Sequence, residues 1–504
     1  MANLFIVGGV PLTAARLRTI MASAGGGGTD PNGYSNQEIA DRNAAALSRS
    51  LAVISRGDTV SARLIWDYIH FLTWGQSNST GQEGFPRLFK AQPYNDLMVG
   101  ASVRPSDNTT NSSSWAPQQV NALTPLVATH NRGTGDHSEG PFDDDWAYNQ
   151  PVGSLAWGES TLETCLSDLK RLWAMHRAVL DPKTLPPFIG SVVGLGGKTI
   201  AQLSKGYVPH HYKRMLDIAP ATMPLIPAGK TYGIGPIMFM HGESDSIAGT
   251  DPAVYKAMVN QNFDDISDDV IKGIVHQDLP PAIFSYQVSA SWTREGNHIA
   301  MAHIDLANER PGFHLIGPMY QVTDKGGHLD TNGHRMLGAL FAKVIYRVLI
   351  RGEGWKALQP TKLTWRARQV LIDYHVPAPP LKWGLPYVLS TPTMIANHGF
   401  ALFDASGSVP IENVEIVADA VVRVVAARDL VAPVRLEMGN KGTHNGATEL
   451  QDSDDFVTTA KYDVAPGYTK YPDALLPPER LGKPYALNNW SLIGNWPVVA
   501  DPAT

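Results

Sequence analysis

Ser77 stands in Gly75-Gln76-Ser77-Asn78, at the end of the apolar, aromatic and β-branched run I-W-D-Y-I-H-F-L-T-W that begins at residue 65. Such a run ending in a polar turn predicts a buried strand that delivers a serine to the edge of a sheet. A serine hydroxyl is a weak nucleophile alone. It needs a base to take its proton, a carboxylate to hold that base, and donors for an oxyanion. A plainer role, capping the turn that follows the strand, fits the same residue. Residue 79 is serine, so the turn is not the Gly-x-Ser-x-Gly elbow of α/β-hydrolases.

A base for Ser77 is offered by Asp324-Lys-Gly-Gly-His328-Leu-Asp330-Thr-Asn332-Gly333-His334. His328, in a glycine-flanked loop, is the leading candidate. His334 falls on the first turn of a predicted helix, as a surface residue or one standing behind the site. Asp324 is expected to hold the imidazole, with Asp330 second or used as a helix cap. Gly196-Gly197, between a predicted strand and helix, offers bare backbone N–H groups to a developing negative charge. His241-Gly242-Glu243 ends another strand. His241 is a candidate side-chain donor and Glu243 a positioning group, since a carboxylate facing an oxyanion is unfavourable; Asp245 is expected to cap the turn.

The elements that must carry these residues alternate between 65 and about 350. Strands are predicted at 188–195, 232–240, 282–288 and 314–322, and helices at 159–180, from 196 to about 218, and at 252–276, 298–308 and 332–349. This rhythm implies right-handed crossovers and an α/β fold with a parallel sheet covered on both faces. In such sheets ligands lie beyond the carboxyl ends of the strands, where the polar turns fall. The segment 81–151 is long, polar and dotted with Trp115, His130, Arg132, His137 and Trp146, which favours a binding surface over disorder.

In order, Gly75-Gln76-Ser77-Asn78, Gly196-Gly197-Lys198-Thr199, His241-Gly242-Glu243-Ser244-Asp245 and His328-Leu-x-x-x-Gly333 resemble the characteristic blocks of SGNH (GDSL-like) hydrolases. The branch it resembles is the carbohydrate esterases that include sialate O-acetylesterase, with blocks GQSN, GGTS or GGKS, and QGES. The resemblance covers roughly residues 65–350. It implies a three-layer flavodoxin-like domain and a serine esterase that removes O-acetyl groups from sugars without metal or cofactor. Carried over, Ser77 is nucleophile and oxyanion donor, Gly196 or Gly197 a second donor, and His328 the base; Gln76 and Glu243 support the site. Two positions depart from the pattern. His241 replaces the family's glutamine, and Lys325 stands where the family's acid usually sits, leaving Asp324 as the nearest carboxylate on that side.

The whole chain has 504 residues, 43% hydrophobic and 17% charged, which suits two or three domains with ample core. A net charge of −6 without a basic cluster argues against nucleic acid as a partner. The single cysteine, Cys165, rules out an intrachain disulfide framework and is expected in the core. No signal peptide or transmembrane run is read, so no membrane insertion is expected and the compartment is open, virion or cytoplasm included. Residues 1–60 read as an N-terminal arm with a helix at 36–54, for attachment or for packing, and homo-oligomer or virion attachment through it is the partner expectation. Residues 61–351 read as the catalytic domain. Residues 352–504, with alternating segments at 370–376, 414–417 and 421–426, read as a β-sandwich-like accessory domain. Tyr485, Trp490 and Trp496 are expected in packing more than on a sugar-stacking surface. This last region is similar to extensions of phage or bacterial esterases, which implies a virion tail enzyme acting on a bacterial surface glycan. Two other functions compete: a glycan-binding or structural tail protein with a degenerate site, and a lipase or thioesterase.

Overall fold

In the computed structural model of the chain, the run that leads to Ser77 forms strand β1 (Tyr68–Gly75) at the centre of a seven-stranded sheet. The structure describes residues 6–7, 10–11, 33–132, 135–138, 140–151, 156–323, 327–388, 391–465, 467 and 479–501. The remaining strands of this sheet are β2 (Leu97–Val99), β3 (Leu123–Pro125), β4 (Phe188–Val192), β5 (Tyr232–Met240), β6 (Ile283–Gln287) and β7 (Phe313–Pro318). They lie in the order β7-β6-β5-β1-β4-β2-β3. Every neighbouring pair is parallel except β2 with β3. From β1 the chain builds β2, β3 and β4 on one side and then β5, β6 and β7 on the other. The winding therefore reverses at β1, which opens a crevice beyond its carboxyl end.

Alternation along β1 explains how the sheet is covered. The main helices of the described residues are α1 (Asn36–Ile54), α2 (Thr161–His176), α3 (Lys213–Thr222), α4 (Glu243–Ala248), α5 (Pro252–Ile266), α6 (His298–Glu309) and α7 (Thr331–Ile345). Ile69 and Phe71 share a core with Leu162 and Leu166 of α2 and Leu337 and Phe341 of α7. Leu72 and Trp74 point the other way, into a core with Ile218 of α3, Phe263 of α5 and Ile304 of α6. Successive strand side chains face opposite sides, so both faces of the sheet are buried under helices.

Two expectations change here. Much of the polar segment 81–151 is folded into the domain: β2 and β3 extend the sheet, and Trp115, His130 and His137 are buried, while Trp146 is half-buried and Arg132 exposed. The Trp115 indole donates to the Val192 carbonyl at 2.8 Å, so an aromatic read as a binding group is instead a packing anchor. The helix expected from 196 to 218 is broken. A single helical turn, Ile200–Leu203, is followed by irregular chain before α3, because Gly206 has φ +88° and Pro209 interrupts the run.

The C-terminal region is β-rich. Its strands β8 (Gln359–Arg366), β9 (Gln369–His375), β10 (Phe400–Asp404), β11 (Gly407–Val409), β12 (Ile411–Ala418), β13 (Val421–Ala426), β14 (Val434–Met438) and β15 (Gly494–Ala500) run in the order β11-β10-β14-β15-β8-β9-β13-β12. The final strand pairs with β14 through most of its length and with β8 at its end, joining two halves. Ile372 and Val424 from one half share a core with Leu402, Leu436 and Met438 from the other. Tyr485 and Trp490 are buried, in keeping with packing.

Strand β9 is buried along its whole length. Its second face is covered by the N-terminal helix and the residue leading into it: Ile39 and Tyr34 pack on Leu371 and Val421. Helix α1 begins with a Ser35–Glu38 capping box, and its Arg42 Nε donates to buried Asp373 at 2.6 Å, with Arg49 on the other carboxylate oxygen at 3.0 Å. The helix in the N-terminal segment is thus packed onto the C-terminal sheet. Arg42→Ala leaves Asp373 buried with one exposed partner and is expected to cost ~3 kcal/mol. Urea denaturation reads that loss; an unchanged midpoint would mean that Arg49 alone satisfies the carboxylate.

Candidate active site

Ser77 sits on a short 3-10 turn, Ser77–Thr80, directly after β1. Close backbone approach forces the glycine before it: Gly75 has φ +136°, and a Cβ there would lie 2.1 Å from the Met240 carbonyl of β5. The turn is held from several sides. Thr80 Oγ1 donates to the Ser77 carbonyl at 2.7 Å, and the Trp157 indole donates to Thr80 Oγ1 at 2.6 Å. Buried Arg104 donates to the carbonyls of Thr80 and Gly158 at 2.7 and 2.9 Å. These bonds hold the Ser77 turn in one position, the rigidity that a nucleophile would need.

His328 arrives from the loop between β7 and α7. Its Nε2 is 2.9 Å from Ser77 Oγ, and its Nδ1 is 2.8 Å from Glu83 Oε1. The imidazole therefore bridges a hydroxyl and a carboxylate. The Trp292 indole flanks it, with ring centroids 6.2 Å apart, and donates to the Gly327 carbonyl at 2.9 Å.

Glu83 holds the place expected for Asp324. Asp324 lies outside the described residues. The second-ranked Asp330 is a helix cap, accepting from the Gly333 N–H at 2.7 Å and from the Thr323 hydroxyl at 2.8 Å. Glu83 itself has φ +64°, in the left-handed region, a conformation that costs a non-glycine residue ~1–3 kcal/mol and gathers at functional sites. Neighbouring bonds enforce it. The Glu83 N–H donates to Ala156 O at 2.9 Å, and His334 Nε2 donates to Gln82 O at 3.1 Å. His334 is thus fully buried behind the site, the second of its two expected places. The signal for Glu83 was a lone carboxylate six residues after the serine, on the same turn.

The His241-Gly242-Glu243-Ser244-Asp245 segment ties the other blocks together. Gln76 Oε1 accepts from the Ser244 N–H at 2.9 Å. Glu243 Oε1 accepts from Asn78 Nδ2 at 3.3 Å and from the Tyr286 hydroxyl at 2.5 Å, the supporting position expected of it. Burial raises its carboxyl above the usual range, with the Tyr286 hydrogen bond opposing. Asp245 accepts from the Ile200 N–H at 2.8 Å, bracing the turn after Gly196-Gly197.

His241 departs from the donor role. It is fully buried, with Nε2 on the Lys198 carbonyl at 3.1 Å and Nδ1 on the Tyr255 hydroxyl at 3.1 Å. Both ring nitrogens are engaged away from Ser77, because the side chain turns into the layer behind the Gly196-Gly197 turn. Gly196 borders Ser77: a Cβ added there would stand 3.8 Å from Ser77 Cβ. Gly197, with φ +71°, makes the bend beside it. The Ser77 N–H opens its 3-10 turn, where the helix offers it no acceptor. A hydroxyl, an imidazole and a carboxylate in series, with backbone N–H groups alongside, can perform acyl transfer.

Among the described residues, no group of three or more His, Cys, Asp and Glu is arranged to hold a metal ion, and no helix is long and apolar enough to cross a membrane. No family model matches the chain, and a search of curated proteins finds no match. Among solved structures, a carbohydrate acetylesterase from Xanthomonas citri is 13% identical with a TM-score of 0.46, over 75% of this chain and 77% of that one. A protein from Arabidopsis thaliana is 15% identical with a TM-score of 0.34, over 56% and 99%. NanS is 13% identical with a TM-score of 0.37, over 56% and 98%.

Proposed function

We propose that the chain is a serine esterase that removes O-acetyl groups from a carbohydrate, built on a three-layer flavodoxin-like SGNH arrangement. The observation that carries the reading is His328 bridging Ser77 Oγ at 2.9 Å and Glu83 at 2.8 Å. Ser77 attacks the ester carbonyl while His328 takes its proton, and Glu83 holds the imidazole and stabilises the imidazolium. The N–H groups of Ser77 and Gly196 receive the oxyanion. His328 then protonates the departing sugar oxygen as its bond to the carbonyl carbon breaks, releasing the sugar hydroxyl, and water repeats the cycle on the acetyl-enzyme. Residues 61–351 form the catalytic unit in this reading and 352–504 an accessory one.

The carbohydrate half of the proposal draws on the order of the sequence blocks and on Trp292, whose partly exposed ring beside His328 suits the apolar face of a pyranose. Acetate release measured across a panel of O-acetylated bacterial polysaccharides tests it. Release from at least one polysaccharide, at a rate above that on a simple thioester or long-chain ester, is expected. A preference for the long acyl chain would move the assignment to a lipase.

A further inference from the structure

His241, Tyr255 and His303 form a buried series of hydrogen bonds that the acyl-transfer chemistry does not use. All three are fully buried. The Val288 N–H meets His303 Nδ1 at 3.3 Å, His303 Nε2 is 3.0 Å from the Tyr255 hydroxyl, that hydroxyl is 3.1 Å from His241 Nδ1, and His241 Nε2 is 3.1 Å from the Lys198 carbonyl.

The direction of every proton in this series follows from its two ends. A backbone N–H can only donate, so His303 Nδ1 accepts and its proton sits on Nε2. His303 then donates to the Tyr255 oxygen, which leaves the single phenolic proton for His241 Nδ1. His241 must carry its own proton on Nε2. The far end demands the same independently, because the Lys198 carbonyl can only accept. Burial keeps the participants uncharged: His303 is pushed down to about 3, the Tyr255 hydroxyl well above its usual value, and His241 downward against the pull of Asp245. The Asp245 carboxylate stands 3.6 Å from His241 Nε2 but already accepts from the Ile200 N–H.

We infer that this one-way relay positions the Gly196-Gly197-Lys198 turn, so that His241, Tyr255 and His303 act on the reaction through the backbone donor at Gly196. The Lys198 carbonyl is two residues from that donor, and Asp245 fixes the next peptides at Ile200. A histidine is neutral in either of two tautomers. Only one of them offers a proton to Lys198; the carbonyl favours it, and Tyr255, donating to Nδ1, fixes the ring that presents it.

The test has a spectroscopic arm and a kinetic arm, and only the second rests on the esterase reading. In the protein labelled with 15N-histidine, long-range proton–nitrogen correlation at neutral pH is expected to show His241 and His303 both as Nε2–H tautomers, assigned by single substitutions. Tyr255→Phe leaves the Lys198 carbonyl to keep His241 in the Nε2–H form but strips Nδ1 of its donor and the ring of its anchor, so it should shift the His241 Nδ1 resonance and lower kcat on acetyl esters ~10-fold with KM unchanged, less than the ~10²–10³ of a lost oxyanion donor. Adding His241→Gln to Tyr255→Phe should restore most of kcat, since the amide offers an N–H near the Nε2 position whatever its neighbour. A merely space-filling Tyr255 would give no such restoration. An Nδ1–H or cationic His241 in the unmodified protein overturns the relay, as does a double variant no faster than Tyr255→Phe alone. Absence of all ester hydrolysis in the unmodified protein would count against the esterase reading and leave the relay to be decided by the tautomers.

Discussion

Ser77→Ala is expected to reduce turnover of p-nitrophenyl acetate by ~10⁶-fold, the scale at which loss of a serine nucleophile is felt. The Ser77 hydroxyl bonds to His328, whereas the contacts that hold its turn go through the backbone carbonyl of Ser77 and through Thr80 and Arg104. Truncating the side chain therefore removes the proposed nucleophile and little that is structural. The melting temperature should stay close to that of the unmodified chain, and acetate release from polysaccharide should vanish in parallel with the chromogenic ester. Full activity in this variant would transfer the chemistry to another group and end the proposed mechanism.

The second large effect concerns the carboxylate. Glu83→Gln preserves shape but removes the charge proposed to orient and stabilise the imidazolium, and a loss of ~10⁴ in kcat is expected by analogy with an amide in the acid's place. Asp324→Asn, made beside it, should leave kcat essentially unchanged. The pair of variants separates two ways of completing the relay: a carboxylate on the serine's own turn, or one on the histidine's loop. If Asp324→Asn lost activity and Glu83→Gln kept it, the hydrogen bond at 2.8 Å would be an incidental contact. His334→Ala should fall between them, since its ring supports the Gln82 carbonyl next to Glu83 without touching Ser77.

Much of the framework was legible in the residue pattern. The apolar runs before Ser77, Gly196 and His241 are strands because parallel strands buried on both faces require near-continuous apolar sequence. Helix α1 occupies the span read for it, marked by an alanine-rich run and by Ser35 with Glu38 at its start. Asp330 as a cap follows from its place before a helical run. The segment 81–151 was harder. Its described strands are three residues long or shorter, too brief for periodicity to register, and Trp115 serves packing that no local pattern records.

Ser77 and His328 belong together for a reason contained in the sequence: both follow strands of one parallel sheet, so both leave at the same edge. Their types alone suffice to suggest nucleophile and base. Glu83 is different. It follows the serine by six residues, and its carboxylate reaches His328 because Gly81 and Glu83 both adopt left-handed backbone while Trp157, Ala156 and His334 hold the loop in place. His241 likewise turns away from Ser77 because Tyr255 and His303, from distant helices, provide a buried partner for its Nδ1. Residue type and strand order travel along the chain and can be read there. Which carboxylate meets a given imidazole, and which way a buried ring points, depends on hydrogen bonds between segments far apart in sequence, and those exist only once the sheet has brought them together.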